Sequence, residues 1–108
     1  MARINVTETA EYDIERIENL FLRKQDPARA DQTVNEILIT MHTLEVDPAR
    51  CPLVHDDLLS ALGFRWIASA QYMIFYVYDE FGDTVHILRI LHGRSNWIGI
   101  LKGEPFID

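Results

Sequence analysis

His92, Arg94 and Trp97 stand close together near the end of the chain, with Arg65 and Arg89 ahead of them. They offer one possible acid–base group, fixed positive charges and an indole. Arg and Trp are also the side chains most enriched at the energetic centres of protein interfaces. His55-Asp56-Asp57 invites a metal reading, but no second ligand pair follows it. His42, His86 and His92 show no ligand spacing either, so neither a metal nor another cofactor is expected. Cys51 is the only cysteine and has no local signal for an activated thiolate. It allows no internal disulfide and fits a reducing compartment.

The elements that must hold these side chains can be read from periodicity. Gln71–Asp79 and Thr84–His92 are rich in aromatic and β-branched residues. Glu80-Phe81-Gly82-Asp83 joins them, a short polar loop with one glycine, which is a hairpin signal. Arg65–Ala68 supplies a shorter strand before them, and Arg3–Val6 a first strand. Thr7 is a helix N-cap, with Glu8 and Glu11 in the first turn. Ala10, Ile14, Ile17 and Phe21 then recur at helical spacing, while Glu11, Asp13, Glu15 and Glu18 read as a solvated face. Asp26-Pro27 restarts the chain as cap and first helical residue, and Ala30, Val34, Ile37, Met41 and Leu44 make the second stripe. So short a link makes the two helices an antiparallel hairpin. Pro48 and Pro52 break the connector over Val46–Ser60, with Leu58, Leu59 and Leu62 as its anchors. Ser95 is expected to cap a short helix over Asn96–Leu101, and Lys102–Asp108 reads as a mobile or partner-ordered tail.

The run Tyr72-Met73-Ile74-Phe75-Tyr76, followed by Ile87-Leu88-Arg89-Ile90-Leu91-His92-Gly93-Arg94, resembles the RelE/ParE superfamily of toxins from bacterial toxin–antitoxin pairs, whose plan the rest of the chain also follows. The resemblance implies an α+β fold: a first strand and a helical hairpin packed on a small antiparallel sheet. It also implies a cognate antitoxin as partner.

Two activities occur in that superfamily. Ribonuclease members cut messenger RNA on the ribosome without metal, using an acid, a base and positive charge around the phosphate. Here Arg65 and Arg94 match basic family positions, and His92 matches a catalytic histidine of some members. Met73 replaces the phosphate-facing arginine, Trp66 and Ile67 stand where lysines would serve, and Trp97 is offered where a tyrosine would follow. That departure points toward the ParE-like branch, whose members inhibit DNA gyrase by protein contact, and His92, Arg94 and Trp97 then become the target-binding surface. The rivals are a RelE-type endoribonuclease and a degenerate, non-toxic binding module.

Alternation puts Tyr72, Ile74, Tyr76, Val85, Ile87, Arg89 and Leu91 on one face of the hairpin, if Asp79 faces Thr84. Met73, Phe75, Val77, His86, Leu88, Ile90 and His92 take the other. The resemblance makes Met73 a residue of the open face, so Met73, Phe75, Leu88 and Ile90 are the expected antitoxin-binding patch. Arg89 is then buried on the helix side and needs a carboxylate, with Glu15 or Glu18 as candidates.

Composition sets the outer bounds. A chain of 108 residues is expected to form one domain. No apolar run is long enough to cross a bilayer, and there is no secretory leader pattern, so a cytoplasmic protein without membrane contact is expected. The net charge is −7, and acids outnumber bases in both halves, ten to six over residues 1–54 and seven to four over 55–108. Direct binding of nucleic acid is disfavoured, because phosphate neutralisation supplies most of its affinity.

Overall fold

The computed structural model describes residues 1–103. Four strands and four helices follow in the order β1 (Arg3–Val6), α1 (Glu8–Arg23), α2 (Pro27–His42), α3 (Asp57–Ala61), β2 (Arg65–Ser69), β3 (Tyr72–Asp79), β4 (Thr84–His92) and α4 (Trp97–Leu101). The sheet runs β1-β4-β3-β2. β1 lies parallel to β4, and the other two pairings are antiparallel.

Local chemistry sets the boundaries. The Thr7 hydroxyl accepts from Ala10 N and opens α1, and the Asp26 carboxylate accepts from Arg29 N and opens α2 with Pro27 behind it. Gln25, at φ 59°, turns the chain between the two helices. At the tip of the β3–β4 hairpin the Asp79 carboxylate accepts from the Phe81 and Gly82 amides, and Asp79 pairs with Thr84. Asp83, at φ 46°, takes the left-handed position there, a conformation that aspartate tolerates better than most residues.

The hairpin of α1 and α2 covers one face of the sheet. Ala10, Ile17, Ile37, Met41 and Leu44 meet Ile74, Tyr76, Val85, Ile87 and Ile90 in the main core. The opposite face is covered too. Val54, Leu59, Phe75 and Leu91 form a second buried cluster under Trp66, Met73, Trp97 and Ile100. α3 and α4, together with the connector, are what cover it.

The register between β3 and β4 slips by one residue: Phe75 pairs with Arg89 but Tyr76 with Ile87, leaving Leu88 as an extra residue in β4. A bulge of this kind inverts the alternation beyond it. Ile90 therefore joins the main core at 2% exposure, and Leu91 the second cluster. Met73, Phe75, Leu88 and Ile90 do not form one open patch. Phe75 is fully buried beneath Trp97, Ile90 lies on the helix side, and Met73 and Leu88 are only half-buried. In the connector, Leu59 is the buried anchor, while Leu58 and Leu62 face solvent.

The carboxylate that Arg89 meets is Asp13 rather than Glu15 or Glu18. Arg89 Nε and Nη2 donate to Asp13 at 2.8 and 2.9 Å, and neither Glu15 nor Glu18 takes part. Asp13 also accepts from the Ile90 amide at 2.9 Å and lies 3.2 Å from Arg16 Nη2. At 1% exposure it is not part of a solvated face.

Candidate functional site

β4 ends at His92, and the chain turns sharply there. Ser95 N and Ser95 Oγ both donate to the His92 carbonyl, at 2.9 and 2.7 Å. Gly93 N donates to Gln71 O at 2.9 Å, tying the exit to the β2–β3 turn. Asn96, not Ser95, caps α4, its side-chain oxygen accepting from Gly99 N.

The His92 ring is engaged at both nitrogens. Nδ1 accepts from Arg94 N at 3.1 Å, which leaves Nε2–H to donate to Gln71 Oε1 at 3.3 Å. The ring also meets Tyr72 edge-on, with centroids 5.6 Å apart. A catalytic base needs a free lone pair directed at substrate. The imidazole here is spent on holding the turn.

The three residues matched to a ribonuclease set are not assembled. His92 and Arg94 are neighbours, and the Arg94 side chain is exposed. Arg65 pairs across from Tyr76, while His92 pairs across from Tyr72. Those two positions are four steps apart on β3, roughly 13 Å along the strand. Arg65 Nη1 is also committed to the Cys51 carbonyl. Met73, half-buried against the second cluster, pairs across from Leu91, and a Cβ added at Gly93 would lie 4.0 Å from its sulfur. The C-terminal residues 104–108 lie outside the described residues, and with them most of the tail.

Trp97 is tied into the fold. Its ring tilts against Phe75 with centroids 5.3 Å apart, and it is only half exposed. Among the expected target-binding residues, Arg94 has the freest side chain, while His92 is held in the turn and Trp97 packs on Phe75. Among the described residues no group of three or more His, Cys, Asp or Glu is placed to hold a metal ion. No helix in that range is long and apolar enough to cross a membrane.

A groove of about 330 Å³ opens between α1, the end of β4 and α4, with Tyr72 and His92 on its wall. Its residues come from five separate stretches of chain, so no local motif marks it.

Comparison with known proteins supplies the context. The family model of the ParE toxin of type II toxin–antitoxin systems, parDE, matches residues 4–97. Among solved structures, the chromosomal ParDE toxin–antitoxin system from P. aeruginosa contains a chain similar at TM-score 0.70 and 19% identity, over 85% of this chain and 96% of that one. The toxin–antitoxin complex RelBE2 from Mycobacterium tuberculosis contains one similar at TM-score 0.62 and 22% identity, over 84% and 96%. At these identities the structural likeness concerns the fold. No curated protein matches the chain.

Proposed function

We propose a function from one premise: the chain belongs to the ParE toxin family of type II toxin–antitoxin systems. As such a toxin it acts by binding rather than by cutting. Its target is a DNA topoisomerase, gyrase in the first place, and a cognate antitoxin restrains it. One observation carries the choice of binding over cleavage. The groups that could work on a phosphodiester are dispersed or occupied, with His92 bonded at both ring nitrogens and Arg65 held on the Cys51 carbonyl. Met73 stands where ribonuclease members carry a phosphate-facing arginine. Arg94, exposed beside a braced His92, is the anchor of the contact surface.

Two assays on purified toxin test this reading. One follows messenger integrity on translating ribosomes, the other supercoiling of relaxed plasmid by gyrase. Gyrase inhibition is expected, and Arg94→Ala should raise the half-inhibitory concentration by about tenfold, the scale of an interface hot spot. Trp97→Phe should keep the packing on Phe75 and inhibit nearly as well as the parent. Site-specific messenger cuts that vanish in His92→Ala would hand the protein to the ribonuclease class. Silence in both assays, with antitoxin still bound, would leave a binding module without toxicity.

A further inference from the structure

We propose that the tip of the β3–β4 hairpin is a second contact with the topoisomerase target, in which Phe81 enters an apolar recess on a basic protein surface. The proposal rests on the target reading above. Phe81 is fully exposed, more so than any other large apolar side chain among the described residues.

A lone apolar residue at a surface is ordinary. Phe81 differs in how it is held. Its amide and that of Gly82 donate to Asp79 Oδ1 at 3.1 and 3.2 Å, and Asp83 N donates to Glu80 O at 3.3 Å. Thr84 Oγ1 and Arg3 Nη2 both donate to Gly82 O, at 2.8 and 3.1 Å. Tyr78 Oη donates to Asp83 Oδ1 at 2.7 Å. Gly82 has no room for a side chain, because a Cβ there would stand 2.7 Å from Asp79 Oδ2. The backbone under Phe81 is therefore set before any partner arrives, and binding costs little ordering entropy. A phenylalanine ring offers a recess about 150–250 Å² of apolar area.

Charge decides which partner the tip fits. Asp79, Glu80 and Asp83 are exposed around the ring. Among the described residues, none of the three is in an ion pair. Arg3 reaches the tip through neutral partners, the Gly82 carbonyl and the Thr84 hydroxyl. Such an acidic collar repels nucleic acid and anionic membrane surfaces. It draws in a basic protein surface and speeds the encounter. A topoisomerase must carry basic surface, because its substrate is a polyanion. The ring sets the second requirement, an apolar recess amid that positive charge, and aromatic side chains are enriched at the centres of such contacts.

The tip lies at the far end of β4 from Arg94, roughly 26 Å along the strand. The two contacts share no residue, so their losses should combine without coupling.

The test measures supercoiling by gyrase in the presence of purified toxin variants. Thermal melts confirm folding, and calorimetric titration of the cognate antitoxin is a second readout. Phe81→Ser should raise the half-inhibitory concentration by about tenfold with an unchanged melting temperature, while Phe81→Leu should keep most of the potency. Glu80→Lys should raise it by about threefold or more. Gly82→Ala should also weaken inhibition, although the ring and all three carboxylates remain, because the added methyl displaces the Asp79 carboxylate. Phe81→Ser/Arg94→Ala should show the product of the single losses. Antitoxin affinity should stay within about twofold of the parent in Phe81→Ser and Glu80→Lys. Phe81→Ser as potent as the parent would overturn the tip contact and leave the gyrase reading intact. No inhibition by the parent would remove both. Potency lost in Phe81→Ser but kept in Glu80→Lys would overturn the basic partner. Antitoxin affinity lost in Phe81→Ser, with gyrase inhibition unchanged, would assign the tip to the antitoxin and overturn the proposal.

Discussion

Asp13 shows how one side chain can join distant parts of the chain. It lies on α1, seventy-six residues from Arg89, and closes a side-on, two-point pair with the Nε and Nη2 of that guanidinium. Its third bond goes to Ile90 N, a backbone donor that β1 is too short to reach. A buried carboxylate with these partners is costly to remove from one side, because Arg89 and an amide are then left unpaired. Asp13→Ala should destabilise by about 3–5 kcal/mol in a urea titration. Glu15→Ala, on the exposed side of the same helix, should stay within about 0.5 kcal/mol. Asp13→Leu combined with Arg89→Met should recover much of the loss, since an apolar pair often replaces a buried ion pair at little cost. The clue to Asp13 was in the sequence. Ala10, Asp13 and Ile17 are spaced three and four apart, which puts the carboxylate on the buried stripe. Residue type suggested solvent, and position overruled it.

At the scale of elements, the joints that could be read early were those with chemically distinctive residues. Thr7, Asp26-Pro27 and the Asp79-to-Thr84 turn each announce themselves by a cap, a ring or a loop of polar residues. The bulge at Leu88 did not, because it depends on two strands meeting at both ends and uses no glycine. Alternation without that slip puts Ile90, Leu91 and His92 on the wrong face, while Arg89 still reaches α1 through Asp13. The cover on the second face was hidden for a similar reason. The short helix after β4 was expected, but α3 and α4 have five residues each, too few for a periodic signal to show which face they bury. Thr7 gives a direct test of how the elements are joined. Its hydroxyl accepts from Ala10 N at 3.2 Å and donates to Ile87 O at 2.7 Å, so one group opens α1 and fastens it to β4. Thr7→Ala should lower stability by about 1–2 kcal/mol, while Thr7→Ser should retain most of it. Equal denaturation midpoints for the three proteins would show that the backbone bond from Thr7 N to Ile87 O suffices.

For the whole molecule, what matters is how the connector and the C-terminal segment stay against the sheet. Two polar ties do this beside the second cluster, and they titrate at opposite ends of the pH scale. The Asp56 carboxylate accepts from the Leu59 amide and meets Lys102 at 3.0 Å, joining α3 to the residue after α4. The Leu59 amide first, then Lys102, hold its pKa below the ordinary 3.8. That contribution is present above the unfolded value and fades as pH falls through the folded one. Tyr76 donates to the Pro48 carbonyl at 2.6 Å and fastens the connector to the core. Burial, followed by the neighbouring Cys51 thiol, raises its pKa well above the ordinary 10.0. Ionising a buried phenol would break the bond and strand a charge, so the folded state favours the protonated form. Its contribution is complete below the unfolded value and is lost as pH climbs beyond it. Melting temperatures taken across the alkaline range should therefore fall more steeply for the parent than for Tyr76→Phe. The variant should start lower, having lost a buried hydrogen bond worth about 1 kcal/mol. The gap between the two should narrow above pH 10, where the unfolded tyrosine ionises. A gap of constant size would mean that Tyr76 ionises as readily in the fold as in the unfolded chain.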